Sequence, residues 1–342
     1  LIRDPQYITE ADYVVMESTY GNRYHKRTTS YIESLTRIIQ ETLDRSGNVV
    51  IPAFAVGRTQ ELLYMIRHIK EQKLIHGHDG FLVYVDSPLA VEATQVFKEN
   101  LMECYDEETK ALVEQGINPI DFPGLRLSIT SDDSKNINFD TTPKVIISAA
   151  GMCDAGRIRH HLKHNLWRPE CSVVFAGYQA EGTLGRLLQD GAPAVKIFGE
   201  EIDVRAHIET IDGISGHADR DGLLTWILAF EKRPEHIFVV HGNEESCTSF
   251  TDTLANQLKL DADAPYSGSQ FDLIRNCWIC RTEPVLAEKE KETERKAAGA
   301  YTRLADAGSR LMEVISHNQG GANKDLARFT EQILALCEKW DR

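Results

Sequence analysis

Three ionisable side chains stand just beyond apolar runs of strand length: Glu17 after YVVM, His217 after ETIDGISG, and His241 after HIFVV. A carboxylate and two imidazoles are the groups of general acid–base catalysis and of metal ligation. In parallel sheets the carboxyl ends of the strands form the ligand-binding edge, because crossover helices return the chain to the opposite edge. All three residues are therefore expected at one edge. His217 and His241 are separated by one helix, DRDGLLTWILAF, and one strand, which would set them on neighbouring strand ends about 4.8 Å apart. Taken singly, each His is more often a group that bonds a nearby carbonyl at a strand end.

The elements that must position these residues alternate. Strands are expected at 13–16, 48–53, 81–85, 125–129, 144–149, 172–176, within 204–211 and at 236–240. Helix-period segments lie near 30–45, 57–72, 88–103, 106–115, 156–165, 183–190, 219–230 and 244–258. This is the pattern of an α/β fold with a parallel sheet flanked by helices. Beyond about residue 282, AEKEKETERKAAG reads as a solvated helix or linker. Two amphipathic helices follow, one carrying Leu304, Leu311, Met312 and Ile315, the other Leu326, Phe329, Ile333 and Leu336, parted by Gly320-Gly321.

The chain has 342 residues, 42% hydrophobic and 26% charged, which rules out a disulfide mini-scaffold and global disorder. A membrane helix would need roughly 18 uninterrupted apolar residues, and none occur, so a soluble, cytoplasmic protein is expected. Seven scattered cysteines suit a reducing compartment. A net charge of −14 argues against polyanion binding by a whole face; a nucleic-acid site must be a local groove.

Other motifs carry less. Cys277 and Cys280 form a CxxC without the second pair of a zinc knuckle, and His76-Gly77-His78 reads as a surface turn. HHLKH (160–164) reads as phosphate-contacting or exposed. GYQAEGTLG lacks the GxGxxG and the Lys-Ser/Thr of nucleotide loops, so a tight turn bringing Tyr178 and Gln179 near a cleft is expected.

The segments ESTYGNRYH, IPAFAVGRTQELL, VYVDSPLA, IISAAGMCDAGR, FAGYQAEGTLG, SGHAD and VVHGNEE occur in this order. Together, over about residues 10–245, they resemble the β-CASP branch of the metallo-β-lactamase superfamily, a branch of nucleic-acid-processing nucleases. The resemblance implies a β-CASP domain with a parallel sheet flanked by helices, the C-terminal part of an αββα sandwich, and a short helical extension. The expected divisions are 1–18 as the end of a first metallo-β-lactamase segment, 19–197 as the β-CASP domain, 198–282 as a returning segment, and 283–342 as charged linker and helical pair.

Within that resemblance Glu17 and His217 fall at the positions of a hydrogen-bonded acid pair, and His241 at that of a metal ligand. A carboxylate beside an imidazole favours its protonated form, so His217 is expected to deliver a proton and neutral His241 to hold zinc. The implied reaction is hydrolysis of RNA phosphodiester bonds assisted by two zinc ions. The implied partner is single-stranded RNA, touched by Arg58, Ser87, Ser148 and Gly151. The family's HxHxDH signature, a further His and a bridging Asp do not occur. The chain is thus expected to be part of a longer polypeptide, inactive alone and without stoichiometric zinc. A sheet left uncovered predicts instability or homo-oligomers. The competing readings are a noncatalytic RNA-binding or scaffold subunit, and a small-molecule metallo-hydrolase.

Overall fold

The computed structural model describes residues 1–25, 31–211, 215–284, 307–308, 311–312, 314–317 and 323–340. The chain divides into two compact units, Leu1–Pro265 with Gln270–Ile279, and Tyr266–Ser269 with Cys280–Arg342.

In chain order the first unit opens with β1 (Tyr13–Glu17), α1 (Tyr31–Asp44), β2 (Val49–Pro52), α2 (Arg58–Glu71), β3 (Leu82–Asp86) and α3 (Pro88–Glu99). It continues with α4 (Leu101–Cys104), α5 (Glu107–Glu114), β4 (Leu125–Ser128), α6 (Ser131–Phe139), β5 (Lys144–Ser148) and α7 (Ile158–Asn165). Then come β6 (Ser172–Phe175), α8 (Leu184–Gln189), β7 (Ala194–Ile197), β8 (Glu200–Asp203) and β9 (His207–Thr210). The remainder is α9 (Arg220–Leu228), β10 (His236–Val240), α10 (Glu244–Asp252), a π-helical turn at Thr253–Gln257, β11 (Ala262–Asp263), β12 (Gln270–Asp272) and β13 (Cys277–Cys280).

Six strands form one sheet in the order β4-β3-β5-β2-β6-β9, and every pairing in it is parallel. Strands buried on both faces read as unbroken apolar runs, and β2 and β6 are buried at every residue. The pleat sends Val49, Ile51, Val83, Val85 and Ile147 to a core shared with Leu35, Ile39 and Leu43 of α1 and Leu62, Leu63 and Ile66 of α2. The opposite face sends Val50, Ile146, Val173 and Phe175 onto Ile158 and Leu162 of α7 and Leu188 of α8.

A second, three-stranded parallel sheet has the order β1-β10-β11. Its Val14, Met16, Ile237 and Val239 pack on Leu223 and Ile227 of α9 and Phe250 of α10. On the other face Val15 is 68% exposed, at the sheet edge.

The division expected between residues 197 and 198 falls inside an antiparallel hairpin, since β7 pairs β8 from Ala194↔Asp203 to Ile197↔Glu200. In addition, β9 closes the six-stranded sheet by pairing with β6 from Ser172↔His207 to Phe175↔Thr210, so the chain leaves that sheet only after Thr210. The charged run at 285–306, with Leu304, lies outside the described residues. In the second unit α11 (Asn323–Trp340) forms, with Leu326, Phe329 and Ile333 half-buried. No helix among the described residues is long and apolar enough to cross a membrane.

Candidate active site

Glu17 and His241 come from adjacent strand ends. Residues Tyr13 to Glu17 pair in register with His236 to Val240, so Glu17 stands opposite the residue before His241. The Ser18 hydroxyl donates to the Val240 carbonyl at 3.0 Å and ties the two ends together. Gly242 lets them meet: a Cβ there would lie 2.7 Å from Ser18 Oγ and 2.8 Å from Ser18 O. His241 itself has φ 52°, a left-handed conformation that few non-glycine residues adopt and that costs backbone energy.

His217 arrives differently. It does not follow a strand of the three-stranded sheet, because the preceding strand, β9, belongs to the other sheet. It lies in the connection to α9, whose first turn is capped by Asp219 accepting from the Gly222 amide. Asp219 also accepts from the His25 amide at 3.0 Å. Burial alone would raise the Asp219 pKa, but the Gly222 and His25 amides outweigh it and hold the carboxyl below its ordinary value. The neighbouring-strand geometry expected for the two imidazoles is thus realised by Glu17 and His241, while His217 reaches them from a loop.

The three groups converge. His217 Nδ1 lies 3.1 Å from Glu17 Oε1, and the His217 and His241 rings stack with centroids 5.3 Å apart. The other Glu17 oxygen accepts from the Thr19 amide at 2.7 Å. Thr19 was not singled out from the sequence, yet its Oγ1 lies 3.4 Å from His217 Nδ1 and 3.2 Å from His241 Nδ1, and it donates to the His241 carbonyl at 3.1 Å. Neither ring's Nε2 has a hydrogen-bond partner among the described residues. Glu17, His217 and His241 each offer a ligand atom, all within 4.8 Å of one another. One carboxylate and two imidazoles are donor types that zinc accepts; with the Glu17 carboxylate held by His217 and the Thr19 amide, the His241 imidazole is the donor that fits such an ion.

His217, His241 and Thr19 form one side of a cleft of about 380 Å³. Its other walls come from carboxyl ends of the six-stranded sheet: Pro52 to Phe54 after β2, Gly151 and Met152 after β5, and Ala176 to Gln179 after β6. Arg58 and Glu61, in the first turn of α2, also line it. They form an ion pair at 2.5 Å, with the Arg58 side chain 11% exposed.

The other residues expected at RNA divide. Gly151 lines the cleft, but two hydroxyls are used internally. Ser87 caps α3 by accepting from the Ala90 amide, and buried Ser148 donates to the Asp86 carbonyl at 2.8 Å. Neither is among the described residues lining the cleft. Asp86 is fully buried and binds Arg157 at 2.7 Å, His161 at 2.6 Å and the Ser134 hydroxyl at 2.5 Å. His161, read from HHLKH as exposed or phosphate-contacting, is therefore a core residue. Its neighbours in sequence could not reveal a carboxylate that is distant along the chain. His78 pairs with Asp44 at 2.9 Å in a surface loop, as a turn would, and Cys277 and Cys280 are free thiols on a strand.

Comparison with known sequences matches residues 59–188 to the Beta-Casp domain and residues 201–265 to the Zn-dependent metallo-hydrolase RNA specificity domain. Ribonuclease TTHA0252 of Thermus thermophilus is 37% identical over 257 residues, covering 75% of this chain and 57% of that protein. Transcription termination factor FttA of Thermococcus kodakarensis is 34% identical over 272 residues, covering 77% and 40%. An RNase J-like protein of Methanocaldococcus jannaschii is 34% identical over 265 residues, covering 77% and 59%. The chain thus spans between two-fifths and three-fifths of the length of these relatives.

Proposed function

Because the chain belongs to the β-CASP family of the metallo-β-lactamase superfamily, we propose that it carries the proton-transfer half of the active site, and the RNA cleft, of a metal-dependent ribonuclease. The observation that supports this most strongly is the convergence of Glu17 with His217 and His241, the two imidazoles lining a cleft whose other walls include Gly151, Met152 and Ala176 to Gln179 of the matched Beta-Casp residues.

Both oxygens of the Glu17 carboxylate are engaged, one by His217 and one by the Thr19 amide. Glu17 therefore orients His217 through Nδ1, and His217 Nε2 remains to pass a proton to the leaving oxygen of a phosphodiester. His241, its Nδ1 beside the Thr19 hydroxyl, keeps Nε2 for zinc, the arrangement in which a hydrogen bond at one nitrogen fixes the tautomer for ligation at the other. Zinc, when bound, activates the attacking water and neutralises phosphate charge. A full zinc site needs more donors than His241 alone, so this stretch acts within a longer polypeptide and is inactive by itself. The seven free thiols, with Cys277 and Cys280 exposed, suit a reducing cytoplasm.

The test uses the natural full-length protein. His217→Ala is expected to lower cleavage of a labelled single-stranded RNA by about 10²- to 10⁴-fold while zinc content by elemental analysis is retained, and His241→Ala is expected to lower zinc content itself. Loss of zinc from His217→Ala would show that the roles are divided wrongly.

A further inference from the structure

We infer that Phe54 and Tyr178 are base-stacking residues that make the cleft selective for single strands with unpaired bases, with little preference for sequence. This rests on reading the cleft as an RNA site.

Two aromatic rings stand at this cleft unusually open to solvent. Phe54 is 53% exposed and Tyr178 is 37% exposed, and both line the cavity that His217 and His241 also line. They follow adjacent strands: β2 and β6 pair in parallel, Val49↔Ser172 and Val50↔Val173. Phe54 lies two residues past the end of β2 and Tyr178 three past the end of β6. An exposed aromatic in a concave site with convergent polar groups is the arrangement of a ligand wall.

Gly151 braces both. A Cβ on it would lie 3.2 Å from Phe54 Cδ2 and 3.3 Å from Cε2, so the missing side chain is what lets the ring lie against the backbone. The Gly151 carbonyl accepts from Gln179 Nε2 at 3.0 Å, and the same amide reaches the Tyr178 carbonyl at 3.2 Å. Buried Gln179 thereby fixes the Tyr178 turn to the backbone that supports Phe54. On the Phe54 side, its carbonyl accepts from the Thr59 hydroxyl at 2.8 Å. Gly151, expected to touch RNA, serves on this inference as the seat of a stacking ring.

The charge distribution favours stacking over phosphate contact. Arg58 is the sole Arg or Lys among the described residues lining the cleft, and it is ion-paired with Glu61. Affinity must then come largely from base faces, which every base offers and which a duplex hides.

Fluorescence anisotropy with the natural full-length protein, carrying His217→Ala in every sample so that the probe is not cleaved, tests the inference, using a fluorescein-labelled single-stranded oligouridylate and a labelled ribose-phosphate chain of equal length without bases. The parent with both rings intact is expected to prefer the oligouridylate. Phe54→Leu and Tyr178→Leu are each expected to weaken that binding roughly five- to 100-fold, to leave binding of the base-free chain unchanged, and to keep the circular dichroism of the parent. Phe54→Trp is expected to restore the preference. Folded Leu variants that bind oligouridylate as tightly as the parent would overturn the stacking role. Equal affinity of the parent for both probes would do so without any ring variant, and decides the matter if a substitution unfolds the protein. If the parent binds neither probe, the RNA reading of the cleft fails first and takes the stacking role with it.

Discussion

Asp86 illustrates how a carboxylate survives without exposed surface. Burial alone would raise its pKa, but hydrogen bonds from His161 and Ser134 outweigh that and hold it at about 2. Because the folded-state value lies below the ordinary one, the ionised carboxylate stabilises the fold above the unfolded pKa, near 4, and that contribution is lost as pH falls towards 2. Asp86→Ala, which leaves Arg157 and His161 facing an empty space, is expected to cost about 3 to 5 kcal/mol in urea unfolding at neutral pH. The difference from wild type should shrink between about pH 5 and pH 3, and a difference constant over that range would contradict the assignment. From the sequence Asp86 was visible only as the end of a strand. Its partner His161 was visible only as one of a cluster, because the pair is made by α7 folding across the sheet. Glu17 and His241 were placed by the apolar runs they close, whereas His217 was found through its SGHAD motif and misplaced at a strand end. Thr19 and Phe54 were not singled out, since a hydroxyl and an exposed ring leave no periodic signal.

Elements were legible in proportion to their apolar patterning. All eight expected strands formed within a residue or three of the expected limits. Those missed were the ones that depend on turn and cap chemistry. The sequence of α6, SDDSKNINF, is mostly polar; a capping box between Thr130 and Asp133 starts it, and such a box supports a helix that periodicity does not announce. The β7–β8 hairpin turns through Phe198 and Gly199, both with positive φ, in a stretch too short and too charged to stand out. At the site, the element that most needs its sequence is the β10–α10 junction. Gly242→Ala would press a methyl group against Ser18 Oγ and its carbonyl. This is expected to destabilise the protein by about 1 to 3 kcal/mol, read as a lower denaturant midpoint, whereas an unchanged midpoint would mean that the β1 and β10 ends separate freely.

Over the whole molecule the net charge is −14, and at the cleft an already paired Arg58 is the sole Arg or Lys among the described lining residues to displace counterions from RNA. With no more than about two phosphates neutralised, the logarithm of the affinity for oligouridylate should fall with the logarithm of salt concentration at a slope of about −1.4 or shallower. A slope of about −4 or steeper would point to a basic surface elsewhere. The same scale explains the misplacement of His217 in the sequence reading. Strand, loop and helix follow one another locally as a βαβ unit would, but β9 pairs with β6 rather than β10, and which strands pair is decided by partners distant along the chain. His217 is reached from β9 of the six-stranded sheet, yet it stands two residues before the cap of α9, which packs on the three-stranded sheet that carries Glu17 and His241. A slip of about one ångström between that connection and the end of β1 would stretch the 3.1 Å contact past hydrogen-bonding range, so the pair is armed only while the connection is seated.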